Sequence, residues 1–191
     1  MKENDDSLVE SDSLTTDSGK TRQFLTFNVG EESYGVELMT IREIKGWVAT
    51  TQLPNSPDFM KGVINLRGVV IPIFDLRHRF GMGQTEPTEK NVVIIIAVGE
   101  KLIGILVDAV SDILSSTEDQ IRPAPQVDSK IDEDFVNGLI SVEEKMVVLL
   151  NIENLFDSAT LDKAAKVSAA ASKEKPAAKD EKQEEAAEKT K

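Results

Sequence analysis

The chain contains an internal repeat, which constrains its fold more than any other feature of the sequence. The segment FMKGVINLRGVVIPIFDLRHRF, residues 59–80, aligns without gaps with FVNGLISVEEKMVVLLNIENLF, residues 135–156. Upstream of these segments, GEESYGV in the first copy matches GEKLIGI in the second. Fixed self-similarity of this kind predicts two related units built on the same plan.

The two predicted halves cover about 23–82 and 90–156, and each alternates short apolar runs with glycine or polar turns. Runs such as FLTFNVGEESYGVEL and VVIIIAVGEKLIGILV have the pattern of two-stranded β-hairpins. About five short strands in each half predict a small closed barrel, because closure removes exposed sheet edges. We therefore expect a mainly β fold of two packed barrels with short helical turns between the hairpins.

The two ends of the chain differ in composition from the folding unit predicted for residues 23–156. Residues 1–22 are acidic and rich in Ser and Thr, residues 157–191 are rich in Ala, Lys and Glu, and neither stretch contains an aromatic residue. Such segments bury too little apolar surface to offset the entropy lost on ordering. We expect the first to be disordered, and the second to be a dispensable tail that is disordered or transiently helical.

Charge and composition exclude several classes of function. A net charge of −12 would repel phosphate backbones, so no nucleic-acid partner is expected. Because the chain has no Cys and a single His, His78, no catalytic, cofactor or metal site is predicted. The longest apolar run, VVIIIAV at 92–98, has the length of a strand, so we expect no membrane insertion. The lack of Cys also fits a reducing cytoplasm.

Positions that recur in both copies are interpreted as structural. Asp75 and Asn151 occupy the same place, each before a short amphipathic segment that ends in Phe. Both residue types cap helix N-termini, so both are predicted to be helix caps. Pro72 lacks a backbone donor and is expected at a strand edge or bulge, with a bend that opens a groove beside Arg67 as the alternative.

Positions where the copies differ are candidates for function. Arg67 aligns with Glu143, and Arg77 aligns with Glu153. Opposite local charge in two related barrels suits two different partners better than one symmetric ligand. The alternative is two solvated turns that have drifted in sequence.

Three stretches resemble the CheW family of bacterial chemotaxis coupling proteins: FLTFNVGEESYGVELMTIREI, FMKGVINLRGVVIPIFDLR and GILVDAVSDILSSTEDQIRPAP. The resemblance extends over about 24–156. It implies a pair of SH3-like five-stranded barrels and a non-enzymatic, cytoplasmic adaptor recruited to chemoreceptor arrays at the inner membrane. The implied partners are the signalling tips of methyl-accepting chemoreceptors, the regulatory domain of the histidine kinase CheA, and other copies of the family.

The resemblance also assigns residues of this chain to sites. Glu43 and Arg67 match an ion pair that the family places beside a receptor-binding groove, and Gln126 and Val127 match a loop that meets the kinase. The implied receptor-binding groove contains five residues: Ile41, Glu43, Gly62, Arg67 and Gly104. Gly62 and Gly104 recur in the other copy as Gly138 and Gly35, which favours a structural role for these glycines as the alternative.

Two other functions remain open at this point. One is a CheW-like scaffold in a signalling pathway that does not serve motility, which the sequence alone does not separate from a chemotaxis adaptor. The other is a small enzyme with an unrecognised site, which would have to show turnover that survives mutation of Arg67.

Overall fold

The computed structural model describes residues 21–124, 133–142, 145–156 and 160–162. These residues form two five-stranded sheets and two one-turn helices, α1 (Leu76–Arg79) and α2 (Ile152–Leu155). The mainly β prediction is therefore confirmed. The strands are β1 (Arg22–Val29), β2 (Glu32–Glu37), β3 (Ile41–Gly46), β4 (Met60–Leu66), β5 (Val69–Asp75), β6 (Val92–Val98), β7 (Lys101–Val107), β8 (Ala109–Ser116), β9 (Val136–Val142) and β10 (Lys145–Leu150).

Each sheet curls into a barrel that a short bridge closes. Barrel A has the strand order β8-β1-β2-β10-β9, and barrel B has the order β3-β6-β7-β5-β4. The chain that follows β3 returns to β4 through a bridge between Thr51 and Val63. In barrel A, the equivalent bridge joins Arg122 to Leu139 of β9. The bridges pair the outer strands, which would otherwise expose unpaired backbone groups.

The prediction of one barrel per contiguous half is wrong in one respect, because the halves exchange hairpins. Barrel A combines β1 and β2 with β8, β9 and β10, while barrel B combines β3, β4 and β5 with β6 and β7. The repeat aligns β1–β5 with β6–β10, and this alignment converts one strand order exactly into the other. Alternation of apolar and polar residues along a strand shows that the strand has a buried face. It does not show which other strand pairs with it.

The largest core cluster contains residues of both barrels and joins them. β6 contributes to it with Ile94 and Ile96, whereas Val93 and Ile95 of the same strand point into barrel B. Strands of this kind are buried on both faces, which explains the uninterrupted apolar run VVIIIAV. A smaller cluster around Phe24 fills barrel A.

Both predicted helix caps make the expected hydrogen bond between the capping side chain and a backbone N–H group. The Asp75 side chain accepts from the backbone N–H of His78 at 3.3 Å, and Asn151 accepts from that of Asn154 at 3.2 Å. Pro72 lies in the part of β5 that pairs only with β4, because the ladder to β7 begins at Ile73. The strand is therefore locally an edge at the proline, where a missing donor costs little.

Most residues of the two ends, which the sequence predicts to be disordered, lie outside the described residues. The few that are described are ordered. Arg22 already belongs to β1. Residues 160–162 are helical, and Leu161 is only 7% exposed within the core that joins the barrels. The segment after Phe156 thus includes a buried apolar side chain, which a wholly solvated tail would not have. No helix in the described ranges is long and apolar enough to cross a membrane.

Candidate functional site

An open groove of about 200 Å³ lies where the interior of barrel B reaches the surface. Four of its apolar residues also belong to, or pack against, the cluster that fills this barrel. The groove therefore has an apolar floor continuous with the barrel core and a charged rim. It is lined by Arg42, Glu43, Leu66, Arg67, Val69, Ile71, Ile95 and Leu102.

The rim contains a strained backbone position. Arg67 and Gly68 alone connect β4 to β5, with φ angles of +53° and +90°. Positive φ at both central residues is the signature of a type I′ turn, which favours Asn or Gly at the first of them. The side chain of Asn65 supports the turn by accepting from the Gly68 N–H at 2.8 Å. An arginine in this conformation costs roughly 1 kcal/mol, and such strain is commonest where a side chain serves function.

Arg67 is paired with Glu43, as the resemblance implies. The guanidinium Nη2 lies 3.0 Å from Oε2 of Glu43, with the side chains 79% and 26% exposed respectively. A bulge in β3 between Ile41 and Glu43 shifts the strand register just before the glutamate. Because the arginine is mostly solvated, the pair adds at most about 1 kcal/mol to stability. Its main effect is to hold a cationic group at the rim of the groove.

The other three residues assigned to the receptor groove do not line this groove. Ile41 packs against the core that joins the barrels. Gly62 has a φ of +130°, and a Cβ there would lie 2.3 Å from the carbonyl oxygen of Thr51, at the bridge that closes barrel B. A Cβ on Gly104 would lie 2.4 Å from Cδ1 of Ile73, inside the same barrel. These glycines permit close packing of strands, so the structure gives both a structural role.

Sequence reasoning missed the apolar floor of the groove. Leu66, Ile71 and Ile95 read as ordinary core positions, because alternation does not distinguish the mouth of a barrel from its centre. A usable signal is the apolar Val69 directly after the Arg67–Gly68 turn, which lines the groove and is 50% exposed. Exposed apolar residues that cluster at a groove are typical of protein-binding surfaces.

The predicted kinase loop is not part of this geometry. Gln126 and Val127 lie outside the described residues, and their role stays a prediction. Across the part of the chain that the structure describes, no group of three or more His, Asp or Glu side chains is arranged to hold a metal ion.

Comparison with known proteins places the chain in a family. The family model described as the CheW-like domain matches residues 23–160. The chain belongs to the CheW-like family. It is 43% identical over 135 residues to a probable chemotaxis protein CheW of Rhizobium etli, a match covering 71% of this chain and 87% of that protein.

Two further CheW proteins agree with this assignment. The chain is 43% identical over 148 residues to the chemotaxis protein CheW of Klebsiella aerogenes, covering 76% of this chain and 89% of the relative. The crystal structure of the scaffolding protein TtCheW from Thermoanaerobacter tengcongensis superposes with a TM-score of 0.67 at 33% identity, covering 73% and 90% of the two chains. The expected CheW fold of paired five-stranded barrels is thereby confirmed.

Proposed function

We propose that this chain is a non-enzymatic adaptor that couples the cytoplasmic tips of chemoreceptors to the regulatory domain of the histidine kinase CheA. The observation that carries the proposal is the groove at which Arg67 is held in a left-handed turn against Glu43. The family supports it, since the matched relatives are named chemotaxis proteins and the solved neighbour is described as a scaffold.

The groove suits an amphipathic helical partner better than a small molecule. Its floor is apolar, and its rim presents two guanidinium groups, Arg42 and Arg67, around one carboxylate, Glu43. Helix-in-groove recognition combines an apolar face with polar anchors at its edges, which a receptor tip would supply. The groove is small, so each contact is modest in area, and assembly into cytoplasmic arrays beneath the inner membrane would supply avidity.

Calorimetric titration against two separate fragments tests the proposal. One fragment is a receptor signalling-tip hairpin, and the other is the CheA regulatory domain. We expect the chain to bind both. Binding to neither by a folded sample would overturn the adaptor function. Rescue of chemotaxis in a strain without its coupling protein distinguishes a motility role from a scaffold role in another pathway.

Substitution of Arg67 tests the site itself. Arg67→Asn preserves the type I′ turn while removing the charge, so the free energy of unfolding should stay within about 1 kcal/mol of the original. We expect the Kd for the receptor hairpin to rise at least about tenfold, which is about 1.4 kcal/mol. Arg67→Glu should weaken binding further, because it places a second carboxylate beside Glu43.

The kinase fragment is the internal control for these variants, because its expected contact lies elsewhere on the chain. If the Kd for the receptor hairpin is unchanged and only the free energy of unfolding falls, Arg67 is structural. The receptor would then bind at another surface.

A further inference from the structure

The two barrels meet along two seams that the internal repeat makes equivalent. At the first seam, the carboxylate of Asp108 accepts from the backbone N–H of Gly30 at 2.7 Å and lies 2.5 Å from Nη2 of Arg77. Gly30 is in the β1–β2 turn of barrel A, whereas Arg77 is in α1, which follows β5 of barrel B. One carboxylate therefore connects the hairpin of one barrel to the helix of the other.

The second seam does not have the residues for this contact. The repeat aligns the three connected residues of the first seam with Gly99, Met39 and Glu153. Met39 is uncharged and 84% exposed, and Glu153 is acidic where the first seam has an arginine. The charge reversal removes the pairing that closes the first seam.

The described residues 160–162 lie at this second seam. Residues 160–162 form a helical turn that buries Leu161 in the core shared by the two barrels. Oδ1 of Asp162 lies 2.5 Å from Nζ of Lys101, only two residues after Gly99 in the β6–β7 turn. A carboxylate from the C-terminal segment thus reaches the hairpin turn that corresponds to the one bound by Asp108.

We propose that residues 160–162 are a strap that closes the second seam, in place of the ion pair that closes the first. The apolar contact of Leu161 provides most of the attachment, because the Lys101 and Asp162 side chains are 38% and 58% exposed. The strap ends at Asp162 beside Lys101, whose neighbour Leu102 lines the groove of barrel B.

Two truncations test the strap, one ending at residue 159 and one ending at residue 163. The shorter chain loses the strap, whereas the longer one keeps it and loses the rest of the extension. We expect the shorter chain to melt about 5 to 10 °C below the full chain, as loss of one well-buried leucine implies. The longer chain should melt within about 1 °C of the full chain, because the strap accounts for the whole effect.

Hydrogen exchange shows where the effect acts. Amides of β6 and β7 next to the second seam should exchange at least about tenfold faster in the shorter chain, since local opening follows lost contacts. Amides of β9 should be unchanged, because this strand of barrel A contributes no side chain to the core cluster that contains Leu161. Equal melting temperatures and equal exchange in the two truncations would overturn the proposal.

Point variants of the full chain provide an independent test. Leu161→Ser should reproduce most of the loss in melting temperature, and Val167→Ser, farther along the extension, should have none. Asp162→Asn should have a small effect that disappears at high salt, because exposed ion pairs are screened. A Leu161→Ser variant with unchanged melting temperature and exchange would also refute the strap.

Discussion

At the scale of single residues, Tyr34 connects burial to a measurable pH dependence. Its ring lies between Phe27 and Phe80, with centroids at 6.1 and 5.1 Å, and the residue is 1% exposed. Burial, with a smaller contribution from the charge of Glu32, raises the pKa of the Tyr34 hydroxyl to about 12. The unfolded chain releases this proton near pH 10. Between these values the folded state holds more protons, so stability falls as the pH rises.

We predict that the free energy of unfolding decreases between pH 10 and 12 by roughly 2 to 3 kcal/mol more in the original chain than in Tyr34→Phe. The phenylalanine preserves the ring contacts and removes the titrating group. Urea unfolding at several pH values measures the difference, and titration of lysines affects both proteins alike. Parallel pH profiles for the two proteins would show that Tyr34 does not titrate differently on folding.

Arg67 shows how far sequence predicts a site at this scale. The tight turn is readable from the two residues between apolar runs, and the pairing with Glu43 follows from the family resemblance. The left-handed backbone at Arg67 is not predictable from the sequence, because type I′ turns normally have Asn or Gly at their first central position. Its strain becomes visible only in the φ angle of +53°.

At the scale of secondary-structure elements, the repeat offers a matched pair of helix caps in different surroundings. Asp75 is fully buried, and its two oxygens accept from the backbone N–H and the hydroxyl of Thr85, both at 2.7 Å. It therefore ties the linker between the halves to α1. Lys61 Nζ lies 3.7 Å from the same carboxylate. Asn151 caps α2 from a half-buried position.

We predict that Asp75→Asn lowers the free energy of unfolding by about 2 to 3 kcal/mol. The amide hydrogens of the asparagine would face a buried hydrogen-bond donor of Thr85, which would lose its acceptor. The reverse change in the other copy, Asn151→Asp, should alter it by less than about 0.5 kcal/mol, since a carboxylate can make the same cap. Chemical denaturation of both variants checks the contrast. Equal losses would mean that Asp75 acts only as a cap and does not hold the linker.

At the scale of the whole molecule, hairpins were predictable and their exchange was not. Local alternation and glycine turns identify strands such as β6 and β7, because these patterns depend on neighbours along the chain. The partners of β2 and β5 are parallel strands from the opposite half, β10 and β7. Such pairing depends on contacts that are distant in sequence, so only the structure reveals it.

The exchange predicts that the two halves cannot fold separately. A chain cut between Glu86 and Pro87 gives fragments 1–86 and 87–191, and leaves the Asp75–Thr85 contact intact in the first. Each fragment would keep hairpins whose partner strands lie in the other, and isolated hairpins are marginal in water. We expect neither fragment alone to melt cooperatively, whereas the mixture should regain β structure by circular dichroism. Its melting temperature should rise with fragment concentration, because the fold now depends on association. A single fragment that melts cooperatively as a monomer would mean that one half can close a barrel with its own hairpin, and that the exchange is not required for folding.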